Sequence, residues 1–245
     1  MTLLTGRRKR RKPAPASSRG PERPGRPGRP APPTDPRIRL SAGAAALLCT
    51  ALAARGNRVG GSEQRIFRAV NELPDALYPP GWVVMQLGTL GAVPAAAGAA
   101  WLAGDRELAC RLGTAGSVTW LLSKGVKLAV RRDRPATLLP GTRGRGRDAA
   151  GLGYLSGHAG VAFALGAAAL PRLGRRGRVL VLAAVPAVAL MRVYVGAHLP
   201  LDIVGGAALG LAVEAGLEML APLSDGGGCS RPSAPRERGV SKPRT

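Results

Sequence analysis

Aromatic residues make up only 3% of this 245-residue chain, and its net charge of +22 comes with no nucleic-acid-binding motif. Proteins that read single strands stack bases on aromatic side chains, so basic charge without such platforms argues against a nucleic-acid partner. Cysteine is scarce as well. Cys49, Cys110 and Cys229 are odd in number and lack any Cys-x-x-Cys spacing, so they support neither a disulfide framework nor a zinc site. Large apolar side chains are nearly missing from residues 1–39 and 222–245, which are built of Arg, Pro, Gly and Ser. Such stretches bury too little surface to offset ordering entropy and are expected to be disordered tails.

Between the tails, residues 40–221 are rich in Ala, Leu, Val and Gly. A bilayer core of about 30 Å takes about 20 helical residues to cross. Apolar stretches of that order fall near 40–55, 81–103, 112–130, 156–172, 178–196 and 199–221, the second and sixth being the clearest. The fold class expected is therefore all-α: a transmembrane helical bundle of about six spans, occupying 40–221, with a disordered basic tail at each end. The first stretch is short and is read as a retained span. The alternative is a signal peptide cleaved after Ala51-Leu52-Ala53, which leaves the later spans oriented the same way. Gly206 and Gly210, four apart in the last span, suit close helix packing. Glu214 and Glu218 share a face of that span near its inner end and are assigned no role.

The charge is uneven. Residues 1–39 carry twelve basic and two acidic side chains, and the short stretch Arg172–Arg178 is also strongly basic. The positive-inside rule places both in the cytoplasm, so six spans put both termini inside. The loop 131–155 then falls outside although it too is basic. The preponderance of Arg over Lys, with abundant Ala, Gly and Pro, suggests a GC-rich bacterial genome and hence a bacterial cell membrane.

Three short segments hold ionisable groups that a membrane bundle does not need. In the first, Lys127, Arg131 and Arg134 stand at i, i+4 and i+7, on one face of a helix expected to end at Arg134, before Pro135. The second, Ser156-Gly157-His158, opens the fourth span, where unpaired backbone N–H groups make an anion site. The third runs from Arg192 through His198 to Asp202. The i, i+4 spacing of His198 and Asp202 lets the carboxylate hold one imidazole nitrogen and leave the other free. Taken singly, these read as snorkelling cations, a serine cap with a passive histidine, and an interfacial ion pair. Read together they differ, because the chain has only two histidines, both lie here, and span parity puts all three segments on the outer side.

The pattern Lys127-x6-Arg134-Pro135, Ser156-Gly157-His158 and Arg192-x5-His198-x3-Asp202 resembles the three motifs of the type-2 phosphatidic acid phosphatase superfamily. That superfamily contains lipid phosphatases, undecaprenyl-pyrophosphate phosphatases, glucose-6-phosphatase and vanadium haloperoxidases. The resemblance covers roughly residues 80–221. Leu155 stands where the family has Pro, and Met191 where it has Ser.

The resemblance implies that Lys127, Arg134 and Arg192 clamp a phosphoryl group, with Ser156 and the Gly157 amide completing the cradle. It implies that His198, oriented by Asp202, attacks phosphorus and that His158 protonates the leaving oxygen. No metal or other cofactor is called for. Two histidines and an aspartate are a zinc-ligand set in principle, but three neighbouring cations oppose a dication. The expected substrate is a membrane lipid phosphate or polyprenyl pyrophosphate reached from the extracytoplasmic face, with the loop 136–154 a mobile cationic cover. A phosphotransferase of the same family, or a catalytically silent scaffold, are the alternatives.

Overall fold

The computed structural model describes residues 35–147 and 150–222. The expected tails, 1–39 and 222–245, lie outside these residues except for 35–39 and 222. The chain is all-α, with no strand among the described residues. Helix α1 spans Pro36–Ala54, so residues 36–39 are helical and the expected tail boundary at 39 falls too late. The start signal is Asp35, whose carboxylate accepts the Arg37 N–H at 2.8 Å, followed by Pro36 in the first helical turn.

Helix α2, Gly61–Asn71, was not anticipated. It is amphipathic: Glu63, Phe67 and Asn71 recur every four residues on its buried face, while Ser62, Arg65, Ile66 and Ala69 are exposed. The expected span 81–103 is not one straight helix. It divides into an arm Asp75–Gly88, which contains α3, Tyr78–Met85, and α4, Ala92–Leu102, the two arms inclined by 69°. Gly88 in the break explains it: a side chain there would lie 2.6 Å from the His158 carbonyl oxygen, so bare backbone is what lets the bend approach the start of a later helix.

Helix α5 spans Arg106–Val130 and begins six residues before the expected 112. Asp105 caps it, accepting the Leu108 N–H at 3.0 Å. The short α6, Pro135–Leu138, follows, then α7, Gly157–Ala169, α8, Arg175–Tyr194, and α9, Pro200–Leu220.

Helix α7 is central. It packs against α5, α8 and α9, and eight of its thirteen residues are buried. Its contact with α9 is close because both surfaces are small. A Cβ on Gly206 would lie 2.4 Å from the Ser156 carbonyl oxygen, and one on Gly210 would lie 2.3 Å from that of Gly160. The outward faces are apolar instead: Leu180 and Leu182 of α8, Leu48 and Leu52 of α1 and Leu121 of α5 are all more than half exposed. Such surface is costly in water and suits lipid.

Three helices are long and apolar enough to cross a membrane, α1, α8 and α9, or four if the bent α3–α4 pair counts as one span. The other two expected segments fall short for physical reasons. Helix α7 has thirteen residues plus a 3₁₀ turn, Leu170–Arg172, and α5 carries Arg111, Lys124 and Lys127 among small polar residues. The protein is a membrane protein of all-α class.

At the end of α9 away from Asp202, Glu214 accepts from Arg39 of α1 at 2.8 Å and lies 3.9 Å from Arg111 of α5, and Glu218 also pairs with Arg39. The two glutamates left without a role thus tie α1 to α9.

Candidate active site

The start of α9 sets the site. Leu199 is extended, Pro200 begins the helix, and Asp202 sits in its first turn. The Asp202 Oδ2 accepts the Leu199 N–H at 2.8 Å, which closes the turn and fixes the carboxylate beside the preceding loop. His198 occupies that loop, its own N–H bonded to the Arg192 carbonyl at 3.2 Å. Its Nδ1 lies 3.5 Å from Asp202 Oδ2 and makes no hydrogen bond. Catalytic hydrogen bonds are often this long before substrate arrives.

Burial, and then the charges of Arg192, Lys127 and Arg134, hold His198 well below the usual histidine range near 6.5. A neutral imidazole keeps a lone pair on the nitrogen turned away from Asp202.

The three cations reach His198 from three elements. Lys127, in the last turn of α5, donates to the carbonyls of Leu152 and Gly153 at 3.0 and 3.2 Å. Arg134 donates to the Ala197 carbonyl at 2.7 Å and, from Nε, to those of Ala150 and Gly151 at 3.1 and 2.9 Å. It therefore spans the site from the loop 150–153 to the residue before His198. Arg192, on α8, has only a 3.6 Å contact to the Met85 sulfur, and its Nε is buried without a partner.

Among the described residues, none of the three makes an ion pair with a carboxylate. Half-buried cations that meet only carbonyl oxygens and a sulfur leave an unneutralised positive focus, which is what an anion needs.

Ser156 caps α7, its hydroxyl accepting the Ala159 N–H at 3.4 Å, and its own N–H donates to the Asp202 carbonyl at 2.9 Å. The amides of Gly157 and His158 stand in the first turn of α7, where backbone N–H groups have no partner within the helix. His158 stands close enough to act electrostatically on His198. All eight residues to which the resemblance gives a role thus lie at one end of the bundle.

The expected helical face of Lys127, Arg131 and Arg134 does not exist. Helix α5 ends at Val130, Arg131 takes a left-handed conformation with φ of +53°, and its exposed side chain folds back on the Leu128 carbonyl at 3.1 Å. Arg134 reaches the site from extended backbone instead.

That reversal turns inward a residue that its sequence context did not single out. Arg132 is fully buried, paired with Glu63 of α2 at 2.7 and 2.9 Å and with Asp202 at 3.0 Å. Its signal was indirect, a basic loop on the side that usually avoids basic charge.

The same loop is not a loose cover over its described residues. Arg145 donates to the carbonyls of Asn71, Tyr194 and Leu73 and to Asp75, while Asn71 exchanges hydrogen bonds with Arg143. The two departures from the family pattern are filled with packing. Leu155 is fully buried with Ala54 and Leu209, and Met191 lies against Gly81 of α3.

An all-α membrane bundle with a His–Asp pair facing three unneutralised cations is the class that the fold and site define. Residues 108–218 match the PAP2 superfamily, and this stretch, which contains all three motifs, belongs to it. Two solved structures are similar in fold. One is a transmembrane PAP2-type phosphatidylglycerolphosphate phosphatase from Bacillus subtilis, 18% identical, with a TM-score of 0.60, covering 75% of this chain and 98% of that one. The other is Aquifex aeolicus LpxE, 16% identical, with a TM-score of 0.56, covering 68% and 99%. No match was found among curated proteins.

Proposed function

We propose that this protein is an integral membrane phosphatase that hydrolyses a lipid phosphate or polyprenyl pyrophosphate on the extracytoplasmic face. The observation that carries the reading is the cluster of Lys127, Arg134 and Arg192, unpaired with any described carboxylate, around a buried His198. Phosphate esters resist hydrolysis because their negative charge repels a nucleophile, and cations fixed in a low-dielectric site remove that obstacle.

In the reaction, the three cations bind the phosphoryl oxygens together with the Ser156 hydroxyl and the Gly157 amide. The free nitrogen of His198 attacks phosphorus, and the bond to the leaving oxygen breaks as it takes a proton from His158, which gains that proton once the bound phosphate offsets the neighbouring cations. Asp202 stabilises the positive charge on the phosphorylated imidazole. Water then attacks phosphorus, passing a proton to the now neutral His158, and the bond to His198 breaks to release phosphate and the free histidine. The cations do the electrostatic work that a metal does elsewhere, so the mechanism asks for none.

The cationic N-terminal sequence and the basic stretch Arg172–Arg178 support a cytoplasmic position for the opposite end. The site lies at helix ends of an apolar bundle, which supports an amphiphile, whose chains stay in the bilayer, over a soluble sugar phosphate. We place polyprenyl pyrophosphate first, then phosphatidic acid and phosphatidylglycerolphosphate, the last being the substrate named for the similar Bacillus subtilis enzyme. Phosphate release by purified protein in detergent, from these three and from glucose 6-phosphate, tests the proposal. Preference for a lipid substrate is expected, and preference for the sugar phosphate overturns the lipid assignment.

A further inference from the structure

Glu63 lies outside the matched stretch 108–218, on the buried face of α2. Three hydrogen bonds hold its carboxylate. Oε2 accepts from Arg132 at 2.7 Å, and Oε1 accepts from Arg132 at 2.9 Å and from the Leu201 N–H at 3.0 Å. The Arg132 nitrogen that meets Oε1 also donates to Asp202 Oδ1 at 3.0 Å, and its other terminal nitrogen donates to the Arg58 carbonyl at 2.7 Å. Asp202 uses its second oxygen on Leu199 and faces His198 with it. Four side chains therefore form one buried chain, Glu63–Arg132–Asp202–His198, whose first member is more than ten residues from any of the three motifs.

From this geometry we infer that Glu63 is a positioning residue for His198, acting through Arg132 and Asp202; the inference rests on the phosphatase reading above. The physical reason is a balance of charge. A fully buried guanidinium paired with Asp202 alone would draw that carboxylate toward itself and away from the imidazole. Glu63 takes up the guanidinium from the far side in a two-pronged pair, so Arg132 holds Asp202 in place without consuming its charge. Asp202 then keeps its negative charge for the moment His198 becomes positive. Glu63 makes no hydrogen bond or ion pair with Lys127, Arg134 or Arg192, so its effect falls on the chemical step and not on phosphate binding.

The substitutions Glu63→Gln and Glu63→Asp separate this role from simple support. Gln keeps the size and an acceptor for the Leu201 N–H but loses the charge. Asp keeps the charge but is one methylene too short to hold Arg132 and Leu201 together. Groups that orient a catalytic histidine from behind typically matter by about 10- to 100-fold.

The experiment measures kcat, KM and vanadate inhibition for wild type, E63Q and E63D in detergent, with folding checked by melting temperature. The expected result is a kcat lower by about 10- to 100-fold in E63Q and by a smaller factor in E63D, with KM and vanadate affinity within about threefold of wild type. Wild-type kcat in folded E63Q, or in folded E63D should E63Q not fold, overturns the positioning role. So does a loss confined to KM and vanadate affinity. Inactivity of the wild-type protein toward every lipid phosphate instead sinks the phosphatase reading itself.

Discussion

The backbone N–H of Ser156 donates to the carbonyl oxygen of Asp202 at 2.9 Å, joining the first residues of α7 and α9. One hydrogen bond thus links the segment that carries His158 to the segment that carries His198. It forms only because Gly206, one turn along α9, lets the two backbones come together.

Gly206→Ala should therefore act on both histidines at once. Its methyl would meet the Ser156 carbonyl oxygen at 2.4 Å and Ala159 Cβ at 3.2 Å, and backbone must move. Overpacking of this kind costs about 1–3 kcal/mol. A lower melting temperature in detergent together with lost phosphate release is expected; unchanged values for both would mean that the helices separate without cost.

His158→Ala should slow departure of the leaving group while leaving phosphate binding intact. General acid catalysis is worth about 10²–10⁴-fold, and a leaving group that needs no proton should recover most of it. Comparing a lipid phosphate with p-nitrophenyl phosphate measures this. Equal losses on both substrates would remove His158 from the role of acid.

Activity should persist in EDTA and be inhibited by vanadate, whose five-coordinate form imitates the phosphoryl transition state. Arg192→Ala should weaken that inhibition by about tenfold or more, since a buried charge-assisted bond would be lost. Loss of activity in EDTA that zinc or magnesium restores would contradict the metal-free mechanism.

The two ends of the bundle should face opposite compartments. Gly144 is exposed, and a Cβ placed on it would have nothing within 4 Å, whereas Arg176 opens α8 at the other end. In a background with Cys49, Cys110 and Cys229 replaced, Gly144→Cys should react with an impermeant maleimide in intact cells. Arg176→Cys should react only after permeabilisation. The reverse labelling would invert the topology and put the site in the cytoplasm.

Much of this was legible from residue pattern. Helices α1, α5, α7, α8 and α9 lie where the apolar stretches are and Ser156 caps α7 as its segment suggested, whereas the start signals Asp35-Pro36 and Asp105 were passed over and left α1 and α5 too short. The motifs were legible because two histidines in a chain this poor in them are conspicuous. What escaped was decided by contacts between distant segments. The bend before α4 exists because Gly88 meets His158, seventy residues on. Arg131 was expected to join Lys127 and Arg134, yet one left-handed residue sends it outward and Arg132 inward. Nothing near Glu63 announces its partner, because Arg132 is sixty-nine positions away and looks like one more cation in a basic loop. Arg145, expected in a mobile cover, is bonded to the chain around Asn71 for the same reason.

The central claim is that His198 carries the phosphoryl group, and trapping it is the most direct measurement. Wild-type protein is mixed with a ³²P-labelled lipid phosphate, quenched in alkali within one turnover, and digested for peptide mapping. The account predicts an alkali-stable, acid-labile label on the peptide containing His198, absent from His198→Ala, which should not turn over at all. Turnover with no labelled peptide, or His198→Ala that releases phosphate at the wild-type rate, would contradict it.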